Sequence, residues 1–302
     1  MTECSTQLTF SCKRTKRVTI DFRGGEITSD SGLLLVRQAD ERLGLTRGLS
    51  ESIVDRRDSR YTAHDLRTLL QQRIYQIVAG YEDCNDADML RSDPSLKAAC
   101  DRNLRDADLA SQPTLSRLEN TVTKADLYRM AELFLNRYVQ RKKKQKPKRI
   151  VLDLDGTDDP TYGHQQLTFF HRYYDQYMYH PLVIYDADTG ELITAALRAG
   201  NKHASYAVVS ILRRIVKKLK AALPKAEIII RGDAGFAVPA LYEYCEQEKL
   251  GYVIGLIRND VLVEMASELC IRHTRFMNRP VRNSGCLLRA GIRQEVGAMS
   301  AE

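Results

Sequence analysis

Three aspartates follow apolar runs that read as buried strands. Asp153 and Asp155 close the run RIVLDLDG at 149–156, and Asp233 closes EIIIRGD at 227–233. Because open α/β sheets place their sites at the carboxyl ends of strands, we expect these carboxylates to converge on one sheet edge. Such a group suits Mg²⁺ (or Mn²⁺), because hard ions prefer oxygen ligands. Two ions about 3.5–4 Å apart activate a water or a 3′-hydroxyl for in-line phosphoryl transfer. The pattern therefore favours metal-assisted phosphoryl transfer.

A purely structural interpretation of these aspartates stands beside the catalytic one. Asp commonly ends strands and caps the helices that follow them. For a single strand that interpretation would be preferred. Here two runs of the same kind end in -Asp-Gly-Thr and -Gly-Asp-Ala-Gly. This repetition favours the catalytic interpretation over the structural one.

Predicted strands and helices alternate along the part of the chain that would position these aspartates. After the first strand come two apolar runs around Asp188-Thr189-Gly190, which is typical of a hairpin with a turn tripeptide. A long amphipathic helix at 203–223 precedes the second aspartate strand, and a helix at 236–250 precedes a third strand at 251–257. Strand, hairpin, helix, strand, helix and strand predict mixed α/β layers.

The N-terminal 140 residues have a different character. A short strand is predicted at 18–22, and a helix is predicted after the Ser29-Asp30-Ser31 cap. Another helix follows Thr62, with apolar residues at three- and four-residue spacing, and residues 124–140 are strongly amphipathic. We therefore predict a helical region over 1–140.

The segment SQPTLSRLEN at 111–120 resembles the start of a helix-turn-helix recognition helix. In that interpretation Ser116, Arg117 and Asn120 face a DNA groove. An ordinary capped surface helix with Pro113 in its first turn explains the same residues.

Positive charge is concentrated between the two regions. The chain carries a net charge of +7, and RYVQRKKKQKPKR at 137–149 holds eight basic residues and no acid. A solvated linker is one interpretation, and we place it at 141–149. The other is contact with DNA phosphates, whose affinity falls with salt through counterion release. The predicted DNA-binding residues are Arg117, Lys142, Lys143, Lys144, Lys146, Lys148 and Arg149.

The composition of the chain argues against a membrane-spanning segment, a secretory signal and a structural zinc. No stretch approaches the roughly 20 apolar residues that a membrane helix needs, and the N-terminus shows no apolar core of a secretory signal. Seven cysteines are scattered without C-x-x-C spacing, which argues against a structural zinc. We therefore expect a cytoplasmic, nucleoid-associated protein without membrane contact.

The first aspartate strand alone resembles one enzyme family. IVLDLDGT fits the nucleophile motif of haloacid-dehalogenase-like phosphatases, in which Asp153 would be the nucleophile and Asp155 the acid/base. The rest of the chain departs from that family. Gly232-Asp233 is followed by no further acid until Glu243, where a second Asp is expected.

A second resemblance covers most of the chain. The sequence is similar to the DDE group 1 transposases of bacterial insertion sequences. The order and spacing of short motifs carry this resemblance: ITSDSGLLLVRQAD, GYEDCNDADMLRSDP, DLDGTDD (153–159), YGHQ (162–165), YHPL (179–182), DTGEL (188–192), LRAGNKH (197–203) and IIIRGDAGF (228–236).

The resemblance implies an RNase H-like mixed-sheet catalytic core at 150–260, preceded by a helical DNA-binding region. Asp155 and Asp233 correspond to the first two acids of the triad, because Gly156-Thr157 follows Asp155 as the family pattern requires. Asp153 would then point to the opposite side or support the site. The implied activity is Mg²⁺-dependent cleavage and strand transfer at element ends. The implied partners are double-stranded DNA, both terminal inverted repeats and target DNA, and a second copy of the chain in a synaptic homodimer.

The third acid of the family is not evident. It normally lies on a helix beyond a long β-rich insertion, whereas residues 261–302 read as a divergent tail with an out-of-frame character. The acids there, Glu264, Glu268 and Glu295, do not fit the family pattern. We therefore expect an incomplete core, truncated at the C-terminus and weak or inactive alone. The main alternative is a DNA-binding fragment that regulates a full transposase.

A tyrosine-rich run lies between the first strand and the hairpin. Tyr173, Tyr174, Tyr177 and Tyr179 are spaced to stack on flipped bases near the cut or, alternatively, to pack a sheet face.

Overall fold

The computed structural model describes residues 8–10, 18–20, 28–163, 165–257 and 260–261. The third-acid candidates Glu264, Glu268 and Glu295 and nearly all of the predicted tail lie outside these residues. The chain divides into two compact units, Met1–Gly255 and Leu256–Glu302. The helices and strands named below belong to the first unit.

The N-terminal region is helical, with one short antiparallel strand pair, β1 (Leu8–Phe10) and β2 (Val18–Ile20). Side-chain caps begin three of its helices: Asp65 accepts from the Thr68 amide at 2.9 Å, Asp93 accepts from the Leu96 amide at 2.8 Å, and Thr123 caps the last of them. The helices are α1 (Leu33–Leu43), α2 (Leu45–Ser52), α3 (Leu66–Val78), α4 (Ala87–Leu90), α5 (Pro94–Ala99), α6 (Gln112–Thr121) and α7 (Lys124–Gln145).

Helix α7 joins the N-terminal region to the sheet that follows. A capping box between Thr123 and Asp126 begins it, and Lys146, in the left-handed conformation, ends it. The helix thus continues through most of the predicted linker at 141–149, which is shorter than expected. Its residues Leu133 and Phe134 pack against an N-terminal hydrophobic cluster, while Leu135 and Tyr138 belong to the cluster of the sheet. One helix therefore contributes to the hydrophobic cluster of the sheet and to one of the two N-terminal clusters.

The second half of the unit is built on a five-stranded mixed sheet. Its strand order is β10-β9-β3-β7-β8; β3 is antiparallel to β7 and β7 to β8, whereas β9 is parallel to both β3 and β10. The strands are β3 (Arg149–Gly156), β7 (Leu182–Asp186), β8 (Leu192–Ala196), β9 (Glu227–Gly232) and β10 (Gly251–Ile254), and the helices α8 (Val208–Ala222) and α9 (Pro239–Gln247) precede β9 and β10. An antiparallel meander followed by two parallel strands reached through helices is the RNase H-like arrangement, which confirms the predicted fold class.

The burial pattern explains why β3 lies at the centre. Ile150, Leu152 and Leu154 are 1%, 0% and 3% exposed, and the residues between them face a more open side. Alternation of this kind fixes the register, because a slip by one residue would bury the aspartates. Helix α8 buries one apolar face, including Leu212, against the same core.

A small three-stranded sheet lies between β3 and β7 in sequence. It contains β4 (Asp159–Pro160), β5 (Phe169–His171) and β6 (Gln176–Tyr179), in the antiparallel order β4-β6-β5. Met178 is fully buried, whereas the cross-strand pair Phe170 and Tyr177 is 45% and 60% exposed. Within the described residues, no helix is long and apolar enough to cross a membrane.

Candidate active site

Asp155 and Asp233 lie at the carboxyl ends of two neighbouring parallel strands. In the register of β3 and β9, Leu154 pairs with Gly232, so Asp155 is the next residue of β3 and Asp233 is the first residue after β9. Register partners on parallel strands project to the same face, and neighbouring strands lie about 4.8 Å apart. Both aspartates are exposed. The sheet therefore brings the two predicted acids side by side at one edge.

Asp153 lies on the same face as Asp155, because extended residues two apart project to the same side. The expectation that it points to the opposite side is wrong. Its Oδ1 accepts from Arg231 Nε at 2.8 Å, and its Oδ2 accepts from an Arg231 terminal nitrogen. This hydrogen bond raises the pKa of Arg231. Asp153 is thus an acid paired with Arg231, and the other expectation, that it supports the site, stays a prediction.

The turn after β9 fixes the orientation of Asp233. Its Oδ1 accepts from the Gly235 amide at 2.9 Å. Phe236, fully buried, ends the short 3-10 turn and packs beneath Gly232, where a Cβ would lie 3.0 Å from the ring. Phe236 thus supports the backbone at Gly232, and the second carboxylate oxygen of Asp233, Oδ2, takes no part in these contacts.

Behind Asp155, the backbone at Gly156 passes very close to a histidine. A Cβ on Gly156 would lie 3.1 Å from His180 Nε2, so a larger residue would displace the ring. His180 Nδ1 lies 2.8 Å from the Lys202 carbonyl oxygen and must donate to it, because a carbonyl only accepts. Burial lowers the pKa of His180, which keeps the ring neutral with Nε2 as the unprotonated nitrogen.

A ladder of aromatic rings leads from His180 toward solvent. The ring of His171 lies 5.1 Å from that of His180 and 5.1 Å from that of Tyr174, whose ring lies 5.0 Å from Tyr173. Burial raises the pKa of Tyr174, and the charges of Asp158, Asp233 and Asp155 raise it further. The Tyr174 phenol therefore lies in the field of both candidate acids.

The four tyrosines of the predicted run do not share one environment. Tyr173 is 84% exposed and Tyr177 60% exposed, whereas Tyr174 and Tyr179 are half-buried. Tyr179 donates to the Gln166 carbonyl at 2.6 Å. The run therefore contains two exposed and two half-buried tyrosines, and stacking on bases stays a prediction.

Most of the predicted DNA-binding residues are exposed. Arg117 lies on the open side of α6, but residues 100–111 separate α5 from α6, which is longer than the three- to four-residue turn of a helix-turn-helix. An exposed basic strip leads from the end of α7 into β3: Lys143, Lys144, Lys146, Lys148 and Arg149.

Lys142 differs from its neighbours in the sequence. It is 5% exposed, and its ammonium lies 2.8 Å from Asp186 Oδ2. Because the helix turns by about 100° per residue, Lys142 faces the core while Lys143 and Lys144 face solvent. Its prediction as a DNA-binding residue is corrected: the side chain holds α7 onto the sheet.

The donors at the sheet edge suit a hard metal ion in part. Asp155 and Asp233 offer carboxylate oxygens, the ligands that Mg²⁺ and Mn²⁺ prefer. Among the residues that the structure describes, no group of three or more His, Cys, Asp or Glu side chains could hold a metal. The edge therefore presents two carboxylates, Asp155 and Asp233, as candidate metal ligands.

Asp158, His180 and Arg198 were not predicted from the sequence as parts of the site. Asp158 stands inside the quoted DLDGTDD motif and accepts from Gln176 Nε2 at 2.8 Å. His180 and Arg198 also lie inside family motifs, YHPL and LRAGNKH, but neither is an acid at the end of a buried apolar run. Their place beside the carboxylates depends on how the loops fold back.

Fold and site together define a class: an RNase H-like core with carboxylates at the carboxyl ends of two central parallel strands. The sequence profile of transposase DDE domain group 1 matches residues 10–283. The chain belongs to this family of transposases. No curated protein matches the sequence.

Among solved structures, the chain is similar to a piggyBac transposase synaptic complex with hairpin DNA, at 16% identity and a TM-score of 0.37 over 79% of this chain. It spans 53% of that piggyBac chain. The catalytic domain of the Mos1 mariner transposase matches at 11% identity and a TM-score of 0.27, covering 52% of this chain and 75% of that one. A Mos1 paired-end complex with Mn matches at 11% identity and a TM-score of 0.25, covering 80% and 85%.

Proposed function

We propose that this chain acts on DNA as the catalytic part of an insertion-sequence transposase, cleaving and joining strands at element ends with a divalent metal ion. The register match of Asp155 and Asp233 carries the proposal, because two carboxylates on adjacent parallel strands suit the divalent ions of phosphoryl transfer. The partners proposed with it are the terminal inverted repeats, target DNA and a second copy of the chain.

Asp155 and Asp233 would hold Mg²⁺ or Mn²⁺, which when bound supplies an activated water or 3′-hydroxyl and neutralises charge on the leaving oxygen. Arg231 cancels the charge of Asp153, so that the face carries less mutual repulsion between acids. The ring of Tyr174 lies 6.1 Å from that of His180, which packs behind Asp155, and burial raises the pKa of its phenol. Neutral His180 supports Gly156 without adding charge.

The basic strip gives the duplex a second place to bind. Arg149 begins β3 and Asp155 stands near its other end, about 20 Å away at about 3.3 Å per residue. A B-form duplex covers that distance in about six base pairs, at about 3.4 Å per pair. We infer that one duplex can contact the strip with its flank while a phosphate lies at the carboxylates.

We expect weak activity, because Asp155 and Asp233 match two of the three acids of the family pattern and catalysis of this kind depends on positioned charge. The test is Mn²⁺- and Mg²⁺-dependent cleavage and strand transfer by the purified 302-residue chain on element-end DNA. Asp155→Asn and Asp233→Asn are the test variants, and Glu227→Gln, an exposed acid at the opposite end of β9, is the control.

Residual cleavage lost in both test variants and retained in the control supports the proposal. Robust cleavage lost in Asp233→Asn would contradict the expectation of weak activity while keeping the site. Sequence-specific binding to element ends without any cleavage favours the alternative, a DNA-binding fragment that competes with a full transposase. Equal cleavage by all variants would show that Asp155 and Asp233 are not the catalytic residues. The phosphatase alternative has no support from the family match, and its nucleophile Asp153 is engaged by Arg231.

A further inference from the structure

Arg198, just after β8, is a buried cation that is bonded to backbone carbonyls. It is 6% exposed, and burial lowers its pKa. Its Nε donates to the His180 carbonyl at 2.7 Å, and its terminal nitrogens donate to Ala204 at 2.6 Å, Tyr206 at 3.1 Å and Pro181 at 3.3 Å. One guanidinium thus ties the entry to β7 to the loop that leads into α8.

Both tied segments lie directly behind the two candidate acids. A Cβ on Gly156, next to Asp155, would lie 3.1 Å from His180 Nε2, 3.5 Å from an Arg198 nitrogen and 3.7 Å from the Ala204 methyl. A Cβ on Gly235, behind Asp233, would lie 3.0 Å from the same Ala204 methyl. Ala204 therefore lies between the two acid-bearing turns, and Arg198 holds Ala204 in place.

We propose that Arg198 is a positioning residue that sets the spacing of Asp155 and Asp233 and thereby the affinity of the pair for a metal ion. The proposal rests on the proposed function, because it assumes a metal at this pair. Two adjacent carboxylates repel each other, so they separate unless the backbone behind them is held. Groups that orient metal-binding side chains typically change metal affinity 10- to 100-fold when they are lost.

The chemistry of the side chain explains why arginine stands here. The planar guanidinium presents five N–H donors in fixed directions, whereas lysine is a flexible point charge with three. The guanidinium of Arg198 bonds four carbonyls from two segments at once, which requires several N–H donors in fixed directions. Arg198→Lys keeps the charge but loses the simultaneous contacts.

Terbium(III) luminescence measures this pair without requiring catalysis. Tb³⁺ is a hard cation that prefers oxygen donors, and it emits when a nearby tyrosine transfers energy to it. Tyr174, in the field of both acids, is the expected donor. We expect the wild-type 302-residue chain to give saturable sensitised emission that excess Mg²⁺ competes away. Arg198→Lys should raise the half-saturating Tb³⁺ concentration by about tenfold or more.

Lys97→Met is the matched control for lost stability. Lys97 is another buried cation on carbonyls, donating to Leu104 at 3.1 Å and Asp106 at 2.7 Å in the N-terminal region. The Lys97→Met variant should have a lower melting temperature and an unchanged half-saturating Tb³⁺ concentration. Ala204→Gly serves where Arg198→Lys fails to fold, because it removes the spacer methyl alone and should weaken Tb³⁺ binding in the same direction.

The outcomes separate the two proposals. Unchanged emission in Asp155→Asn and Asp233→Asn would show that the ion binds elsewhere, and the proposed metal site itself would fail. Emission that depends on both aspartates, with a midpoint in Arg198→Lys within twofold of wild type, overturns only the positioning role. Equal midpoint shifts in Arg198→Lys and Lys97→Met also overturn it, since general destabilisation would then suffice.

Discussion

At the scale of the residue, Lys142 and Lys144 show how far identical side chains can differ in role. Both belong to one basic run, yet Lys142 is buried against Asp186 and the Tyr138 hydroxyl also donates to that carboxylate. Lys144 is exposed. Composition cannot separate them, because only the rotation of the helix decides which lysine faces the core.

Lys142→Met is expected to destabilise the protein by about 3–5 kcal/mol, because it leaves the Asp186 carboxylate buried without its cation. Lys144→Met should leave the free energy of unfolding within about 0.5 kcal/mol. On DNA, Lys144→Met should reduce the slope of log K against log salt by about 0.9, the loss of one phosphate contact. Urea unfolding and salt-dependent anisotropy measure both effects. A reversed pattern in the two variants would return Lys142 to the DNA-binding set.

Asp186 should also make stability depend on pH. Burial opposes its ionisation, but hydrogen bonds from Lys142, Tyr138 and Thr189 outweigh burial and lower its pKa. Its folded-state pKa therefore lies below the unfolded value of about 3.9. The stabilisation is present above about pH 4 and is lost as pH falls through the folded-state pKa. Urea unfolding of wild type and Asp186→Asn at pH 7 and between pH 4 and 2 should show their stabilities converging in acid; parallel curves would contradict this.

At the scale of the element, the sequence predicted the strands of the five-stranded sheet better than the small sheet. Apolar runs such as Ile150–Leu154 carry their own signal, whereas β5 and β6 hold exposed aromatics whose pairing depends on tertiary contacts. The predicted end of α7 is too early. Lysines are good helix formers, so the helix continues beyond the end of its apolar pattern. The two acids followed from their strands, but Arg198 acts through a loop that no local pattern reveals.

Gly200 illustrates how the small sheet is attached. Its amide donates to the Leu167 carbonyl at 3.3 Å, and a Cβ there would overlap the Met178 carbonyl and lie 2.7 Å from that of Phe169. Gly200→Ala should destabilise the protein by about 1–3 kcal/mol through overpacking. Gly32→Ala is the control, because a Cβ there meets nothing within 4 Å. Thermal unfolding compares the two, and an unchanged Gly200→Ala would contradict the close packing.

At the scale of the whole molecule, the basic strip and the carboxylates lie at opposite ends of β3, on one rigid strand. The concentrated basic run suggested contact with nucleic acid, but the separation of the two surfaces could not be read from the sequence. It depends on where α7 ends and β3 begins, and thus on which lysines remain outside the helix.

This separation predicts a dependence on duplex length. A duplex that ends less than about six base pairs from the cleavage point cannot reach the strip, at about 3.4 Å per pair. It should bind with a shallower salt slope than a longer duplex of the same sequence. Combined Lys144→Met, Lys146→Met and Lys148→Met substitutions should abolish that difference, whereas Lys217→Met, an exposed lysine on α8, serves as control. Equal slopes for long and short duplexes in wild type would place the DNA elsewhere.

Helix α7 also bears on how the chain can be divided. Because Leu133 and Phe134 pack into one hydrophobic cluster and Leu135 and Tyr138 into another, neither half keeps a closed interior without this helix. A fragment that starts at the first strand of the large sheet would expose the apolar side that α7 covers, and one that stops before α7 would expose the other. Both fragments should aggregate when expressed separately, and calorimetry of the intact chain should show the two halves melting in one cooperative transition.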